Sequence, residues 1–347
     1  MIAILADDFS GAAELAGIAA VRGYKTEVQT RFDPTSDAEV IAVDTDTRLM
    51  PEAAAARIVS DVARQILAAQ PARIFKNTDS VLRGHIRAEL EAILDTTGQH
   101  DCLFIPANPS KGCIITAGRY FVNGVPLDQT DFAHDPDHPR HSSLIADMLG
   151  HAPHIQVPDV ATLADIELHV SRLTAQTLAA GATIFFSAWL PVGRAPAAQS
   201  ALPSTRRAIL LCGSLAAWGT GRAEQAAAHG MRVRTLPQQF IAADDTQSAF
   251  AAWGTEIVQE FHSHPALMIA LGHLAVDMLP AQLMAWLTEV MQEVLRQIQV
   301  DRLFIEGGAT AAALLQSAGW HRFEANSAPL TGIGVLRPLT APCAVLS

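Results

Sequence analysis

The chain has 347 residues, half of them hydrophobic, and a formal net charge of −11 at pH 7. This length predicts two domains, and the low content of Lys and Arg argues against a general nucleic-acid binder, which needs a dense basic surface. We expect a soluble cytoplasmic protein with no membrane partner, because no apolar run reaches the roughly 18 residues of a membrane helix and no basic leader precedes one.

Strand-like and helix-like segments alternate along most of the chain, a pattern typical of a parallel α/β sheet. The apolar run 2–6 predicts a buried strand, and a helix follows over 11–22. Three further strands are predicted at 39–43, 73–75 and 102–105. We therefore predict an α/β fold of two domains, each built on a mainly parallel sheet with flanking helices.

Each of these four strands ends in polar residues. The four polar ends are Asp7-Asp8, Asp44 to Arg48, Lys76 to Arg83, and Asn108 to Lys111. Neighbouring parallel strands deliver their carboxyl ends to one edge of a sheet, and ligands bind at that edge in open α/β sheets. The sequence therefore predicts a functional site there.

The first polar end joins the first strand to an alanine-rich helix. Asp7 and Asp8 are followed by Ser10 and Gly11. Two interpretations are open. In one, Asp8 or Ser10 caps the helix and Asp7 is a solvated loop residue; in the other, both carboxylates belong to a ligand site beside the free N–H groups of the helix.

The second polar end, VDTDTR at 43–48, has the Asp-x-Asp-x-Thr spacing of haloacid-dehalogenase-type phosphatases. In those enzymes the first Asp is the nucleophile and the second is the acid/base. Here the motif follows the second strand rather than the first, and Arg48 stands in place of Gly. A phosphatase that uses Asp44 is therefore kept as an alternative function.

The third polar end places several chemically active groups within eight positions. The segment FKNTDSVLRGHIRAE contains Lys76, Thr78, Asp79, Ser80 and Arg83. Lysine and arginine can hold a carboxylate or phosphate, and a positioned aspartate can orient a hydroxyl or accept its proton. The alternative is a salt-bridged loop followed by a capped helix.

Residues 118–143 carry turn signals and little periodicity. Asn123-Gly124 predicts a hairpin turn after the segment RYFV, and the remainder predicts a long loop of the kind that is often functional. Three histidines, His134, His138 and His141, lie near acidic residues and raise the question of a metal site. We expect a solvated loop instead, and no metal site is predicted.

A stretch rich in Pro, Ala and Ser predicts a linker between two domains. We place the domains at 1–195 and 208–347 and the linker at 196–207. The second domain has two glycine turns between a strand and a helix, Gly213-Ser214 and Gly307-Gly308, the latter followed by Thr310. Such turns let backbone N–H groups approach a phosphate, although short strand-to-helix loops also use glycine for geometry alone.

Four segments together resemble the four-carbon acid sugar kinase family, which includes threonate and erythronate kinases and was long catalogued as a domain of unknown function. The segments are LADDFSGAAELA, FKNTDSVLRGHIRAE, PANPSKG with GRYFVNGVPLDQTDFAHDP, and IEGGATAAALL. The resemblance implies a two-domain kinase with the acid sugar in the N-terminal domain, ATP and Mg²⁺ in the C-terminal domain, and phosphoryl transfer in the cleft between them.

The resemblance also implies roles for individual residues. Asp8, or in its place Asp79, would orient and deprotonate the attacking hydroxyl, and Arg48, Lys76 and Arg83 would hold the carboxylate of the substrate. The acid-sugar site as a whole would comprise Asp7, Asp8, Arg48, Lys76, Thr78, Asp79, Ser80 and Arg83. The nucleotide site would comprise Ser214, Gly307, Gly308, Ala309, Thr310 and Gly332.

The sequence departs from the family pattern in places. Ser10 stands where threonine is usual, and Ala309 replaces an acidic residue. The family's later Lys-x-Gly-Gly-Phe-Gly-like loop has no counterpart before Ser347, which predicts a nucleotide domain that is truncated or completed in another way. The functions left open are therefore the kinase, the phosphatase that uses Asp44, and a non-catalytic acid-sugar-binding protein. The expected partners are the acid sugar, ATP and, as an open alternative to a monomer, a second copy of the chain.

Overall fold

The computed structural model describes residues 1–135, 137–192, 205–213, 221–237, 246–272, 280–330 and 333–339. The chain divides into two compact units, Met1–Ala198 and Gln199–Ser347. Most of the predicted linker, 196–207, lies outside the described residues. The two units are described separately below.

The first unit alternates strands and helices through most of its length. Its strands are β1 (Ile2–Ala6), β2 (Thr26–Gln29), β3 (Val40–Asp44), β4 (Arg73–Asn77), β5 (Asp101–Ile105), β6 (Cys113–Thr116), β7 (Arg119–Val122), β8 (Val125–Pro126), β9 (Ile155–Gln156) and β10 (Thr177–Gly181). Its α-helices are α1 (Phe9–Val21), α2 (Glu52–Ala68), α3 (Ile86–Thr97), α4 (Ile145–Leu149), α5 (Leu163–Val170) and α6 (Thr183–Trp189).

Seven of these strands form a parallel sheet in the order β2-β3-β1-β4-β10-β5-β9, and β6, β7 and β8 form a separate antiparallel sheet. β1 is central and fully buried, which explains its unbroken apolar sequence. Ala6 pairs with Asp44 of β3, and Leu5 pairs with Lys76 of β4. Three of the four polar strand ends are therefore adjacent, whereas β10 separates β4 from β5 and places the Asn108 end farther along the edge.

Helix α1 packs against the sheet through small side chains. Ala12, Ala16 and Ala19 are completely buried, so the helix axis can approach β1 and β3 closely. A second part of the core consists of aromatic rings from β4 and α6. The ring centroid of Phe75 lies 5.1 Å from that of Phe186 and 5.2 Å from that of Trp189. Full burial of such a side chain stabilises the fold by roughly 1.5–3 kcal/mol.

The predicted hairpin after RYFV is confirmed. Val122 of β7 pairs with Val125 of β8, and the two turn residues Asn123 and Gly124 have φ of 51° and 80°. Both values lie in the left-handed region that a two-residue type I′ turn requires. The hairpin extends through β6 and buries Tyr120 completely.

The second unit contains another mainly parallel sheet. Its elements are β11 (Ala208–Cys212), α7 (Arg222–Ala228), β12 (Arg232–Thr235), α8 (Thr246–Ser263), β13 (Ala266–Ala270), α9 (Pro280–Gln297), β14 (Arg302–Glu306), α10 (Gly308–Ala318), β15 (Arg322–Leu330) and β16 (Ile333–Pro338). Parallel strands run in the order β12-β13-β11-β14, and β15 and β16 pair antiparallel. The predicted fold class is thus confirmed in both units. In the described part of the chain, no helix has the length and hydropathy of a membrane span.

Candidate functional site

The centre of the candidate site is a guanidinium between two carboxylates at the carboxyl edge of the first sheet. Arg48 donates from Nε to Asp7 Oδ2 at 2.8 Å and from Nη2 to Asp7 Oδ1 at 3.1 Å. Its Nη1 donates to Asp8 Oδ2, also at 2.8 Å. The first and second polar strand ends therefore meet through a bidentate ion pair and a second charge-assisted hydrogen bond.

The backbone after β3 delivers Arg48 to this position. The backbone N–H groups of Thr47 and Arg48 both donate to the Asp7 carbonyl, at 3.0 and 3.2 Å, and Asp46 adopts a left-handed φ of 49° that turns the chain back toward β1. On the other side, the ring of His138 bonds through Nε2 to the Arg48 carbonyl at 2.6 Å. The arginine is thus held by its backbone as well as by its side chain.

Asp8 caps α1, as the first interpretation of this strand end predicts, but Asp7 is buried and is not a solvated loop residue. The Oδ1 atom of Asp8 accepts the Gly11 N–H at 2.9 Å and caps α1, while its other oxygen binds Arg48. Burial raises the pKa of Asp8, Arg48 opposes that rise, and the neighbouring charge of Asp7 adds to it; the net pKa lies above the ordinary value. The side chain of Asp8 is 16% exposed, against 4% for Asp7.

Asp7 behaves differently from its neighbour. Burial on its own would raise the pKa of Asp7, but the charges of Arg48 and Lys76 outweigh burial and hold the pKa below its ordinary value. The two adjacent carboxyl groups therefore have pKa values shifted in opposite directions, which is a feature of acid/base sites. Asp8 is the more accessible and the more basic of the two.

Asp79 is saturated with hydrogen-bond donors from its own loop. It accepts the backbone N–H groups of Val81 at 3.0 Å and Arg83 at 3.2 Å, and the Arg83 side chain donates from Nε at 3.1 Å and from Nη2 at 2.8 Å. Burial opposes ionisation, but these bonds and Arg48 keep the pKa of Asp79 below its ordinary value. The salt-bridged loop of the alternative interpretation is therefore present, within 3.9 Å of Arg48 Nη1, but His85 at the N-cap of the following helix α3 makes no side-chain capping hydrogen bond.

Lys76 has partners that differ from the substrate carboxylate predicted for it. Its side chain is 1% exposed, and Nζ lies 2.7 Å from Glu89 Oε2 and 2.7 Å from the Asn77 carbonyl. Glu89 also accepts the Thr47 hydroxyl at 2.6 Å. Lys76 belongs to a buried network that links β4, α3 and the loop carrying Arg48, and its contact with a substrate carboxylate stays a prediction.

Thr78 and Ser80 flank Asp79 at the end of β4. The Thr78 backbone N–H donates to the Gly181 carbonyl at 3.1 Å, and its buried hydroxyl has no partner among the described residues. The Ser80 carbonyl accepts the hydroxyl of Tyr120. The hairpin β6–β8 thereby supports the loop that carries Asp79 and Arg83.

Four residues near the site were not singled out as site residues from the sequence. Glu89 lies on α3, His85 bonds to the Met50 carbonyl at 2.5 Å, and His138 bonds to the loop as described above. The solvated-loop prediction is therefore wrong for His138, which is half-buried. The fourth residue is Arg140, which is half-buried. Burial and the charge of Arg83 lower the pKa of Arg140, and the charge of Asp79 raises it. The high density of His and Arg in 134–141 was the sequence feature that could have indicated His138 and Arg140. No group of three or more potential metal ligands occurs in the described part of the chain.

Asp44 lies in a position that does not suit a nucleophile. Its side chain is buried, and its Oδ1 accepts the Asp46 N–H at 2.9 Å. Burial, together with the charge of Asp46, raises the pKa of Asp44 well above its ordinary value. A buried carboxyl group with a raised pKa is a poorer nucleophile than an exposed carboxylate, which argues against the phosphatase alternative.

We expect Asp44→Asn to raise the free energy of unfolding at neutral pH and to raise it less at pH 4. The native state holds the Asp44 proton more tightly than the unfolded state does. Asp44 therefore costs stability as pH rises from the unfolded pKa toward the native pKa, and costs nothing below both values. Urea unfolding at pH 4 and pH 7 measures the difference. A gain that is equal at both pH values, or a loss at pH 7, would contradict this account.

In the second unit, the predicted glycine turns lie on adjacent strands. β11 and β14 pair directly, so Gly213 and Gly307 follow neighbouring carboxyl ends. Gly307, with φ of 106°, is exposed and precedes α10, and Ala309 is exposed in its first turn. A Cβ at Gly213 would lie 2.3 Å from Thr310 Oγ1, so glycine is required there for packing. Ser214 and Gly332 lie outside the described residues.

Residues 2–188 match the family described as the sugar-binding N-terminal domain. The chain is 36% identical over 154 residues to the D-erythronate kinase of Heliobacterium modesticaldum, an alignment that covers 43% of this chain and 35% of that protein. It is 34% identical over 160 residues to the D-threonate kinase of Salmonella typhimurium, with 45% and 38% covered. The chain thus spans somewhat more than a third of the length of these curated relatives.

A solved structure extends the likeness to the whole chain. A Salmonella typhimurium LT2 protein described as a tRNA synthase superposes with a TM-score of 0.80 at 17% identity, covering 99% of this chain and 94% of that one. At this identity the likeness shows the fold alone. The family match covers more than half of the 347 residues and includes Asp7, Asp8, Arg48, Asp79 and Arg83. The resemblance to the four-carbon acid sugar kinases is therefore confirmed, and the chain belongs to the family of proteins with the sugar-binding N-terminal domain.

Proposed function

We propose that the protein is a kinase that transfers a phosphoryl group from ATP to a hydroxyl of a four-carbon acid sugar. The observation that carries the proposal is Asp8, a partly exposed carboxylate of raised pKa that is oriented by a helix N–H and by Arg48. A hydroxyl nucleophile needs such a group to orient it and to accept its proton as the new bond forms. The names of the curated relatives, D-erythronate kinase and D-threonate kinase, support this choice.

The other residues of the first unit have positioning roles in this proposal. Arg48 orients Asp8 and keeps Asp7 ionised, so that the positive charge at the site is balanced before substrate binds. Asp79 orients Arg83 rather than acting as the base, because its oxygens already accept four hydrogen bonds. Ser80, which is partly exposed, contacts a sugar hydroxyl in this proposal, whereas the hydroxyl of Thr78 is buried.

The nucleotide is assigned to the second unit in this proposal. The exposed turn Gly307-Gly308 precedes the N-terminus of α10, where unpaired N–H groups and the helix dipole favour a phosphate. Mg²⁺ would arrive with ATP and neutralise charge on its phosphates. Thr310 is buried against Gly213 and has a packing role in this arrangement.

We expect ATP consumption in the presence of Mg²⁺ and one acid from a panel of D- and L-threonate, D- and L-erythronate, and 2- and 3-oxo-tetronate. The panel acids differ at one centre or in one oxidised hydroxyl, so turnover would also identify the substrate. Controls omit the acid or the protein. Release of phosphate from sugar phosphates without ATP would favour the phosphatase alternative, and binding of an acid without ATP consumption would favour the non-catalytic alternative.

A further inference from the structure

A polar cavity lies next to the Asp7, Asp8 and Arg48 cluster and remains outside the roles assigned so far. Its volume is about 410 Å³, and residues that line it include Gly84, His85, Arg87, His138 and Arg140. This volume is in the range of small-molecule sites, which is roughly 300–1,000 Å³.

The cavity shares a wall with the cluster. A Cβ added to Gly84, which has φ of 90°, would lie 3.0 Å from Asp7 Oδ2 and 3.8 Å from the Arg48 side chain. A ligand in the cavity can therefore approach the carboxylate cluster past a residue that has no side chain.

The cations of the site differ in whether they are already neutralised. Arg48 is bound to Asp7 and Asp8, Arg83 is bound to Asp79, and Lys76 is bound to Glu89. None of the three has a charge that is available to an incoming anion without breaking an existing pair. We therefore looked among the described residues for a different cation that could bind the carboxylate of the substrate.

Arg140 meets that requirement. Its Nε is buried without a hydrogen-bond partner, and no ion pair or hydrogen bond of its guanidinium occurs within the part of the chain that the structure describes. Burial lowers the pKa of Arg140, and the nearby charges of Asp79 and Asp135 oppose that effect. An arginine remains charged at neutral pH, so a half-buried guanidinium without a direct partner is a binding site for an anion.

We propose that Arg140 binds the carboxylate of the acid sugar in this cavity and determines the preference for acids over neutral polyols. This inference rests on the acid-binding part of the proposed function. It assigns to Arg140 the contact that the sequence pattern assigns to Lys76, Arg48 and Arg83.

The test compares Arg140→Gln with Arg140→Lys and with Arg64→Gln. Arg64 lies on α2 outside the cavity lining, is exposed and pairs with Asp61, so its loss controls for a general change of charge. Binding of D-erythronate and of D-threonate is measured by titration calorimetry without ATP, with erythritol as the neutral probe. KM and kcat are measured with any acid of the panel that is turned over. Circular dichroism checks that each variant is folded.

We expect Arg140→Gln to weaken acid binding, or to raise KM for the acid, by about 10- to 100-fold, the usual effect of losing a hydrogen bond between charged groups. The change in kcat should be smaller, Arg140→Lys should retain part of the affinity, and Arg64→Gln should change it less than threefold. Weaker acid binding in Arg140→Gln, without ATP consumption by the wild-type protein, would support the role of Arg140 and reject the kinase function. Turnover with an unchanged KM in Arg140→Gln would reject Arg140 alone. Failure of the wild-type protein to bind either acid would reject both.

Discussion

Replacing Asp8 with asparagine is expected to lower kcat by about 10²- to 10⁴-fold, the usual contribution of general acid/base catalysis, with little change in KM. Asparagine retains an oxygen that can accept the Gly11 N–H, so the cap of α1 is kept and the fold should be preserved. What is lost is the carboxylate that can take a proton from the attacking hydroxyl. Steady-state ATP consumption with the preferred acid measures both constants.

A matched control for this substitution is Asp79→Asn. Because Asp79 is saturated with donors and its pKa is lowered, we assign it a positioning role, and its loss should change KM as well as kcat. Near-normal kcat in Asp8→Asn would remove Asp8 as the proton acceptor. A pure kcat effect in Asp79→Asn, together with normal turnover in Asp8→Asn, would transfer that role to Asp79.

Replacing Lys76 with methionine is expected to lower the free energy of unfolding by about 3–5 kcal/mol, the usual result of removing one partner of a buried ion pair. Methionine fills a similar volume but leaves the Glu89 carboxylate, which is 2% exposed, without its positive neighbour. Thr47 then provides the remaining hydrogen bond to Glu89. Urea unfolding of the wild-type protein and the variant measures the loss.

The double variant Lys76→Met with Glu89→Leu separates loss of the pair from loss of packing. If the cost of the single variant arises from an uncompensated buried charge, the double variant should recover much of the stability. Additive losses would show that each side chain contributes independently and would contradict the ion-pair account. Exposed Lys25, which pairs with Asp37 at the surface, provides the control, since Lys25→Met should change stability by less than about 1 kcal/mol.

The sequence was sufficient to predict which segments meet at the edge of the first sheet. Continuous apolar runs identify the buried parallel strands, and their polar ends identify the loops that carry Asp8, Arg48 and Asp79. The hairpin turn at Asn123-Gly124 was predictable for a similar reason, since few residue pairs adopt two consecutive positive φ values. Local patterns of this kind specify elements and their ends.

The ion-pair partners of individual side chains could not be predicted from the sequence in the same way. Lys76 and Arg48 are both cations at strand ends. Lys76 pairs with Glu89 on α3, whereas Arg48 pairs with Asp7 at the end of β1. The choice depends on which helix face packs against which strand. Arg140 is a further example, because only the fold brings the loop after the hairpin beside Asp79.

The position of β10 has a consequence for how the chain can be assembled during synthesis. β4 and β5 follow one another closely in the sequence, but both pair with β10, which begins at Thr177. Until Thr177 has been synthesised, β4 and β5 each lack the strand that pairs with both. Ala179 of β10 pairs with Leu103 and with Phe75, which are 76 and 104 positions away in the sequence. Such non-local pairing slows folding, because loop entropy is lost before the contacts form. The carboxyl edge of this sheet is therefore completed late, after β10 has been synthesised.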